Sequence, residues 1–389
     1  MDGADSGSLG PEMKKLRKLA INTGGGDAPG LNAVIRAATL AAIEAGYEVW
    51  GIRHGYRGLI DEGPEGLVRL DRDHVRGIGH LGGTILGTAN RGDPFHFPTQ
   101  VPGSDKPVPM DRADEMVARF KELGFEALIA VGGDGSQKIA RRLMDRGLPR
   151  VIGVPKTIDN DVIGTEVTFG FDTAVSIATD AIDRLHTTAE SHDRVMVVEV
   201  MGRNAGWIAL RSGLAGGADV VLIPEIPFRY EPIVAKIAQR EDRGRHFALV
   251  VVAEGAMPAG GAATVKDQGD VFRGVAVLGG IAAQVEKELA RRTGKECRSM
   301  SLGHLLRGGG PTTFDRQLAL RFGTAAIRFL TETSLSGVVA IRADTMELCT
   351  FELVTSGTKT VSLDCDTIKT ARSMGLCFGD EPPARFFAI

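Results

Sequence analysis

Ala127-Leu128-Ile129-Ala130-Val131-Gly132-Gly133-Asp134-Gly135-Ser136 decides the fold. An apolar run of strand length ends in a glycine turn, and the residues after it, at about Gln137 to Met144, carry a helical pattern. The same grammar stands earlier in the chain. Lys18 to Asn22 is apolar, Gly24-Gly25-Gly26 and Pro29-Gly30 make a turn, and Leu31, Val34, Ile35 and Ala38 recur at helical spacing. Tyr47 to Arg53 reads as a second strand and Ala113 to Leu123 as an amphipathic helix. Further on, Val151 to Val154, Val195 to Val200, Val220 to Ile223 and Ala248 to Val252 are β-branched runs bounded by turn residues. Continuous apolar strands alternating with helices predict an α/β protein, with buried parallel sheet covered by helices on both faces.

The chain has 389 residues, 43% hydrophobic and 24% charged, with a formal charge of −3. That length suits roughly two to three domains. The balance argues against a protein held on nucleic acid or an anionic membrane by bulk charge, so the expected partner is a small molecule. Its 51 glycines follow no collagen period and lie in apolar segments, where they mark turns. Cys297, Cys349, Cys365 and Cys377 are scattered and too few for a disulfide scaffold, which points to a reducing cytoplasm. Met1 to Pro11 lacks the basic and apolar regions of a signal peptide, and no apolar run is long enough to span a bilayer. Residues 1–17 are expected to be a flexible tail, Pro94 to Pro109, with five prolines, a loop, and Ala256 to Gly269 a mobile glycine-rich segment.

Charged residues gather where the expected strands end, which in an open parallel sheet is the ligand-binding edge. Gly24 to Gly30 and Gly132 to Ser136 are glycine turns before helices, and each is either purely structural or a cradle for phosphate. Asp134 is either a turn and cap residue or a carboxylate for Mg2+ beside that phosphate. Pro155-Lys156-Thr157-Ile158-Asp159-Asn160-Asp161 places carboxylates, an ammonium and a hydroxyl after one strand. Such a set suits deprotonation of a hydroxyl facing a transferring phosphoryl group. Met201-Gly202-Arg203 follows Val200, Glu254 follows Val252, and Gly303 to Gly309 holds His304 and Arg307 three residues apart, able to grip a phosphate. Arg194 and Arg298, read alone, are surface arginines.

Together, Gly25 to Gly30, Gly132 to Ser136, Pro155 to Asp161, Met201 to Arg203 and Gly303 to Gly309, in that order, resemble the phosphofructokinase family over residues 18 to 345. The resemblance implies two similar doubly wound, Rossmann-like domains with the active site in the cleft between them. A donor domain would comprise 18–170 with 306–355, and a sugar-phosphate domain 171–305 with 356–389. It implies Mg2+-dependent transfer from ATP to the 1-hydroxyl of fructose 6-phosphate, giving fructose 1,6-bisphosphate. Asp159 would be the general base and Asp134 the Mg2+ carboxylate. Gly26, Arg91, Gly133, Gly135 and Ser136 would bind the donor, with Thr157 lining the phosphoryl path beside Ile158. Arg203, with Met201 and Gly202, would meet the sugar phosphate and the developing charge, and Glu254 the sugar hydroxyls. His304, Leu305, Leu306 and Arg307 would hold the 6-phosphate, joined by Arg194 and Arg298 of a neighbouring subunit, so a homodimer or homotetramer is implied.

Two departures bear on the donor: in Gly87-Thr88-Ala89-Asn90-Arg91-Gly92 many relatives have arginine one place earlier, leaving Arg91 as the candidate to bridge the donor phosphates, and the other is at Lys156. Lys156 stands where ATP enzymes of the family usually have glycine, and resembles the pyrophosphate-dependent branch and a mixed group of ATP enzymes. Gly135 stands where pyrophosphate users have aspartate, which would oppose the α-phosphate of ATP. Gly135 with Lys156 therefore resembles the mixed group, and ATP is the expected donor. The alternative is pyrophosphate, with sedoheptulose 7-phosphate as a further acceptor. A nicotinamide-dependent oxidoreductase is disfavoured because G-x-G-x-x-G is missing. A silent sugar-phosphate-binding subunit is disfavoured by Asp134, Asp159 and Arg203.

Overall fold

The computed structural model describes residues 17–89, 92–267 and 277–381. In chain order the first part runs β1 (Arg17–Thr23), α1 (Leu31–Glu44), β2 (Tyr47–Ile52), α2 (Arg57–Ile60), β3 (Leu67–Leu70), β4 (Phe97–Thr99), β5 (Val108–Met110), α3 (Ala113–Glu122), β6 (Phe125–Gly132), α4 (Asp134–Asp145) and β7 (Arg150–Pro155). There follow α5 (Phe171–Ser191), β8 (Val195–Val200), α6 (Trp207–Ala215), β9 (Val220–Leu222), α7 (Tyr230–Glu241), β10 (Ala248–Ala253), β11 (Val265–Asp267), β12 (Val277–Leu278), α8 (Ile281–Thr293) and β13 (Cys297–Ser301). The chain continues through α9 (Thr313–Glu332), β14 (Gly337–Arg342), β15 (Thr345–Cys349), α10 (Phe351–Val354) and α11 (Asp366–Ser373).

Two sheets carry the molecule. Among the described residues the larger has the order β15-β14-β7-β6-β1-β2-β3, with parallel pairing from β14 to β2 and an antiparallel strand at each edge. The smaller, β13-β8-β10-β9, is parallel throughout. β6 shows why these strands read as continuous apolar runs. Ala127, Ile129 and Val131 pack towards α1 and α9, while Leu128 and Ala130 pack towards α3 and α4. The smaller sheet is likewise covered by α5, α6 and α11 on one face and by α7 and α8 on the other. Gly323 lets α9 lie against α1, because a Cβ there would stand 2.7 Å from the Val34 carbonyl oxygen.

Polar side chains fix the helix ends. Arg150 donates to the carbonyls of Leu330 at 2.5 Å and Phe329 at 2.9 Å, closing the C-terminus of α9. At the other end of that helix, buried Asp315 accepts from the Thr173 backbone N–H at 2.7 Å and its hydroxyl at 2.6 Å. In return the Thr173 hydroxyl accepts from the Thr312 N–H at 3.0 Å and the Thr312 hydroxyl donates to Asp172 at 2.6 Å, tying the N-termini of α5 and α9 together.

Some segments differ from expectation. β1 opens at Arg17, the last residue assigned to the tail. α4 begins at Asp134 rather than near Gln137, placing Asp134 in its first turn. Pro94 to Pro109 is not simply a loop: Phe95 and Phe97 are buried, and Phe97–Thr99 pairs antiparallel with Val108–Met110. A two-stranded sheet consists of edge strands only, where proline is tolerated. In the glycine-rich segment Val265–Asp267 forms a strand paired with Val277–Leu278, and its last two residues lie outside the described ones. Among the described residues no helix is long and apolar enough to cross a membrane.

Candidate active site

The carboxyl ends of β1 and β6 meet where the strand order turns back on itself, the position at which open α/β sheets bind ligands. Gly24 N–H donates to the Val131 carbonyl at 2.9 Å, tying the two turns together. Ser136 fills the space that Gly24 and Gly132 leave, since a Cβ on Gly24 would stand 2.8 Å from its Oγ and one on Gly132 2.3 Å from its Cβ. At Gly26 a Cβ would lie 2.9 Å from Arg307 Nη1, so glycine admits that guanidinium, which donates to the Asp27 carbonyl at 3.0 Å. Lys156 Nζ donates to the Gly26 carbonyl. Thr88, in the stretch just before Arg91, donates its hydroxyl to the Gly25 carbonyl. A Cβ on Gly135 would meet nothing within 4 Å, so that position faces open space.

After β7, Lys156 N–H donates to the Gly132 carbonyl at 3.0 Å and the chain enters the site. Ile158, fully buried in the core of the smaller sheet, anchors the loop. Asp159 N–H donates to Thr157 Oγ1 at 3.1 Å. Thr168 donates its hydroxyl to the Thr157 carbonyl at 2.7 Å and its N–H to Asn160 Oδ1 at 3.1 Å. Asn160 sits at φ 52, in the left-handed region that asparagine tolerates. The loop thus brings Asp161 within electrostatic reach of Asp159 and of Asp134 in the second glycine turn.

Electrostatics join the pieces. Burial raises the Asp159 carboxyl above its usual range, opposed by Arg307 and Lys156. Burial, with Asp159 and Asp134 nearby, pushes Asp161 up to about 6. Lys156 falls to about 8, chiefly through burial and then through Arg307. Across the cleft Glu254, on the smaller sheet, rises to about 7 through burial and the charges of Asp159 and Glu199, against the pull of Arg307 and Arg203. Asp134 shares Oδ2 with Lys138 at 2.7 Å, while its Oδ1, like Asp159 Oδ1, is buried with no hydrogen-bond partner among the described residues.

On the smaller sheet Met201 is buried, Gly202 stands at φ 138, and Glu254 N–H donates to the Val200 carbonyl at 2.9 Å. A Cβ on Gly255 would lie 2.0 Å from the Arg203 carbonyl oxygen, so glycine allows the two segments to touch. A cavity of about 460 Å³ opens beside them, lined in part by Arg203, Asn204, Glu225, Gly255 and Thr360. His304 to Arg307 lie in a 3-10 helix, Gly303–Arg307, whose three-residue turn stacks His304 over Arg307. Its Leu306 is fully buried and Leu305 is 67% exposed.

Arg194 and Arg298 are not part of this cluster. They share Glu296, at 2.8 and 2.5 Å, at the opening ends of β8 and β13. The length of β8, about 20 Å at ~3.3 Å per residue, separates them from Met201 and Arg203. Arg91 lies outside the described residues.

Two doubly wound sheets whose carboxyl edges face one another across glycine turns, buried carboxylates and cations define an α/β protein with a cleft suited to a phosphate group. The chain belongs to the phosphofructokinase family: the family model Phosphofructokinase matches residues 18–330. It is 46% identical over 374 residues to "ATP-dependent 6-phosphofructokinase 2" of Clostridium perfringens, covering 95% of this chain and 100% of that protein. It is also 47% identical over 348 residues to "Pyrophosphate--fructose 6-phosphate 1-phosphotransferase" of Amycolatopsis methanolica, covering 88% of this chain and 96% of that one. In structure it is similar to Pichia pastoris phosphofructokinase in the T-state, with a TM-score of 0.74 and 31% identity, over 89% of this chain and 36% of that longer one.

Proposed function

We propose that this protein transfers the terminal phosphoryl group of ATP to the 1-hydroxyl of fructose 6-phosphate, giving fructose 1,6-bisphosphate and ADP. The observation that carries the reading is Asp159: a half-buried residue whose Oδ1 is itself buried with no partner among the described residues, within electrostatic reach of Arg307, Lys156 and Glu254. Asp159 takes the hydroxyl proton as the sugar oxygen bonds to phosphorus and the bond to the ADP oxygen breaks. Gly26, Gly133 and Ser136, with Arg91, hold the donor. Thr157, Arg203 and Lys156 meet the charge on the transferring group. Met201, Gly202 and Glu254 orient the sugar, and His304 and Arg307 hold its 6-phosphate.

Asp134 Oδ1 is a buried acceptor at a helix start with no partner among the described residues, which fits a cation beside phosphate. Mg2+ held there would neutralise charge on the donor phosphates. The division into donor (18–170, 306–355) and sugar-phosphate (171–305, 356–389) units is supported by the two sheets. Arg194 and Arg298, a strand length from their own chain's cluster, suit a site completed by a neighbouring subunit, hence a homodimer or homotetramer.

Pyrophosphate as donor is the second reading, favoured by Lys156 and by the name of the Amycolatopsis relative. Gly135, open to the donor side, supports ATP. Product identity tests the assignment. Incubation with fructose 6-phosphate, Mg2+ and ATP should yield a new sugar phosphate ester in 31P spectra, equal in amount to ADP. Release of inorganic phosphate without that ester would contradict it.

A further inference from the structure

The segment between α10 and α11 carries no motif, yet it touches both sides of the cleft. Lys359 Nζ donates to Asn160 Oδ1 at 3.0 Å, to the Thr165 carbonyl at 3.0 Å and to the Glu166 carbonyl at 2.9 Å. Its backbone N–H donates to the Asp161 carbonyl at 2.8 Å. One residue therefore holds both residues that follow Asp159 in its turn, and all three protons of its ammonium are used on neutral oxygens. Its own carbonyl accepts from Trp207 Nε1 at 3.0 Å, at the first residue of α6, just after the Met201–Arg203 segment. Two residues on, Val361 N–H donates to Glu225 at 2.8 Å, and that carboxylate also accepts from Gly206 N–H at 3.1 Å. Thr360, between them, lines the cavity beside Arg203.

We propose that Lys359 is a positioning residue for phosphoryl transfer: through Asn160 and Asp161 it sets Asp159, and through Trp207 it keeps that loop in register with the Arg203 segment. The inference rests on the role given to Asp159 above. A lysine is required because the three acceptors surround a point, which an ammonium satisfies and the planar fork of arginine does not. The cost of losing it falls on transition-state alignment rather than on sugar binding, since small displacements of a catalytic group cost rate steeply.

The test uses the full chain and measures ATP-dependent turnover of wild type, Lys359→Met, Lys359→Arg, Asn160→Ala and the Lys359→Met/Asn160→Ala double variant. Lys359→Met should lower kcat at least tenfold while changing the fructose 6-phosphate KM less than threefold, and Lys359→Arg should not restore it. Because the two substitutions share the Lys359–Asn160 contact, the double variant should lose less than the product of the two single losses. If Lys359→Met does not fold, Asn160→Ala examines the same contact from its other side and should show the same split between kcat and KM. Unchanged kcat in Lys359→Met, independent multiplicative losses in the double variant, or full rescue by arginine would each overturn the proposal while leaving the functional reading intact. A wild type that does not turn over would overturn that reading and this one with it.

Discussion

Asp159→Asn should lower kcat by about 10²- to 10⁴-fold, the range for loss of a general base, while the KM for fructose 6-phosphate changes little. The substitution keeps the volume and removes the carboxylate proposed to accept the hydroxyl proton. The accompanying pH behaviour has a definite sign. Burial raises the Asp159 carboxyl above its usual value, so the acid limb of kcat/KM should lie above the ordinary aspartate range of about 3.9. Activity is lost as pH falls through that raised value, because only the ionised form is a base. A raised folded-state pKa also means that ionised Asp159 costs the fold stability at neutral pH. Asp159→Asn should therefore hold or raise the thermal midpoint while turnover collapses, which separates loss of chemistry from unfolding. Unchanged kcat would remove Asp159 from the mechanism.

Gly135→Asp should cut kcat/KM for ATP by about 10²- to 10³-fold. Gly135 is the second residue of α4 and a side chain there enters open space, so the change is sterically tolerated. An acidic residue in a first helical turn is also favourable to the helix. What changes is charge: a carboxylate facing the α-phosphate of ATP at about 4 Å meets a repulsion of about 4 kcal/mol at a near-surface dielectric. Gly135→Ala adds the Cβ without the charge and should keep ATP turnover near wild type. Equal losses in both variants would show that space, not charge, matters at this position.

The parts of the fold that the sequence displays are those governed by local repetition. β1, β6, β7, β8 and β10 are continuous β-branched or apolar runs because both faces are buried, and each ends in a turn that needs glycine or polar residues. The candidate site residues stand on those turns, so their grouping is legible for the same reason. β3 and β15 are edge strands with weaker patterns. The hairpin at Phe97 and Val108 hides behind its prolines. Contacts made across long separations leave no local trace: Thr88 on Gly25, Arg150 on the end of α9, and Lys359 on Asn160 each join residues far apart in the chain. The placement of Arg194 and Arg298 away from their own chain's cleft also follows from strand length and register, which single residues do not reveal.

The most direct test of the account is the initial rate with fructose 6-phosphate and Mg2+, comparing ATP and pyrophosphate in parallel. Turnover with ATP and none with pyrophosphate is the predicted result, with Gly135 setting the donor despite Lys156. Turnover with pyrophosphate in place of ATP would contradict it and give Lys156 control of the donor side.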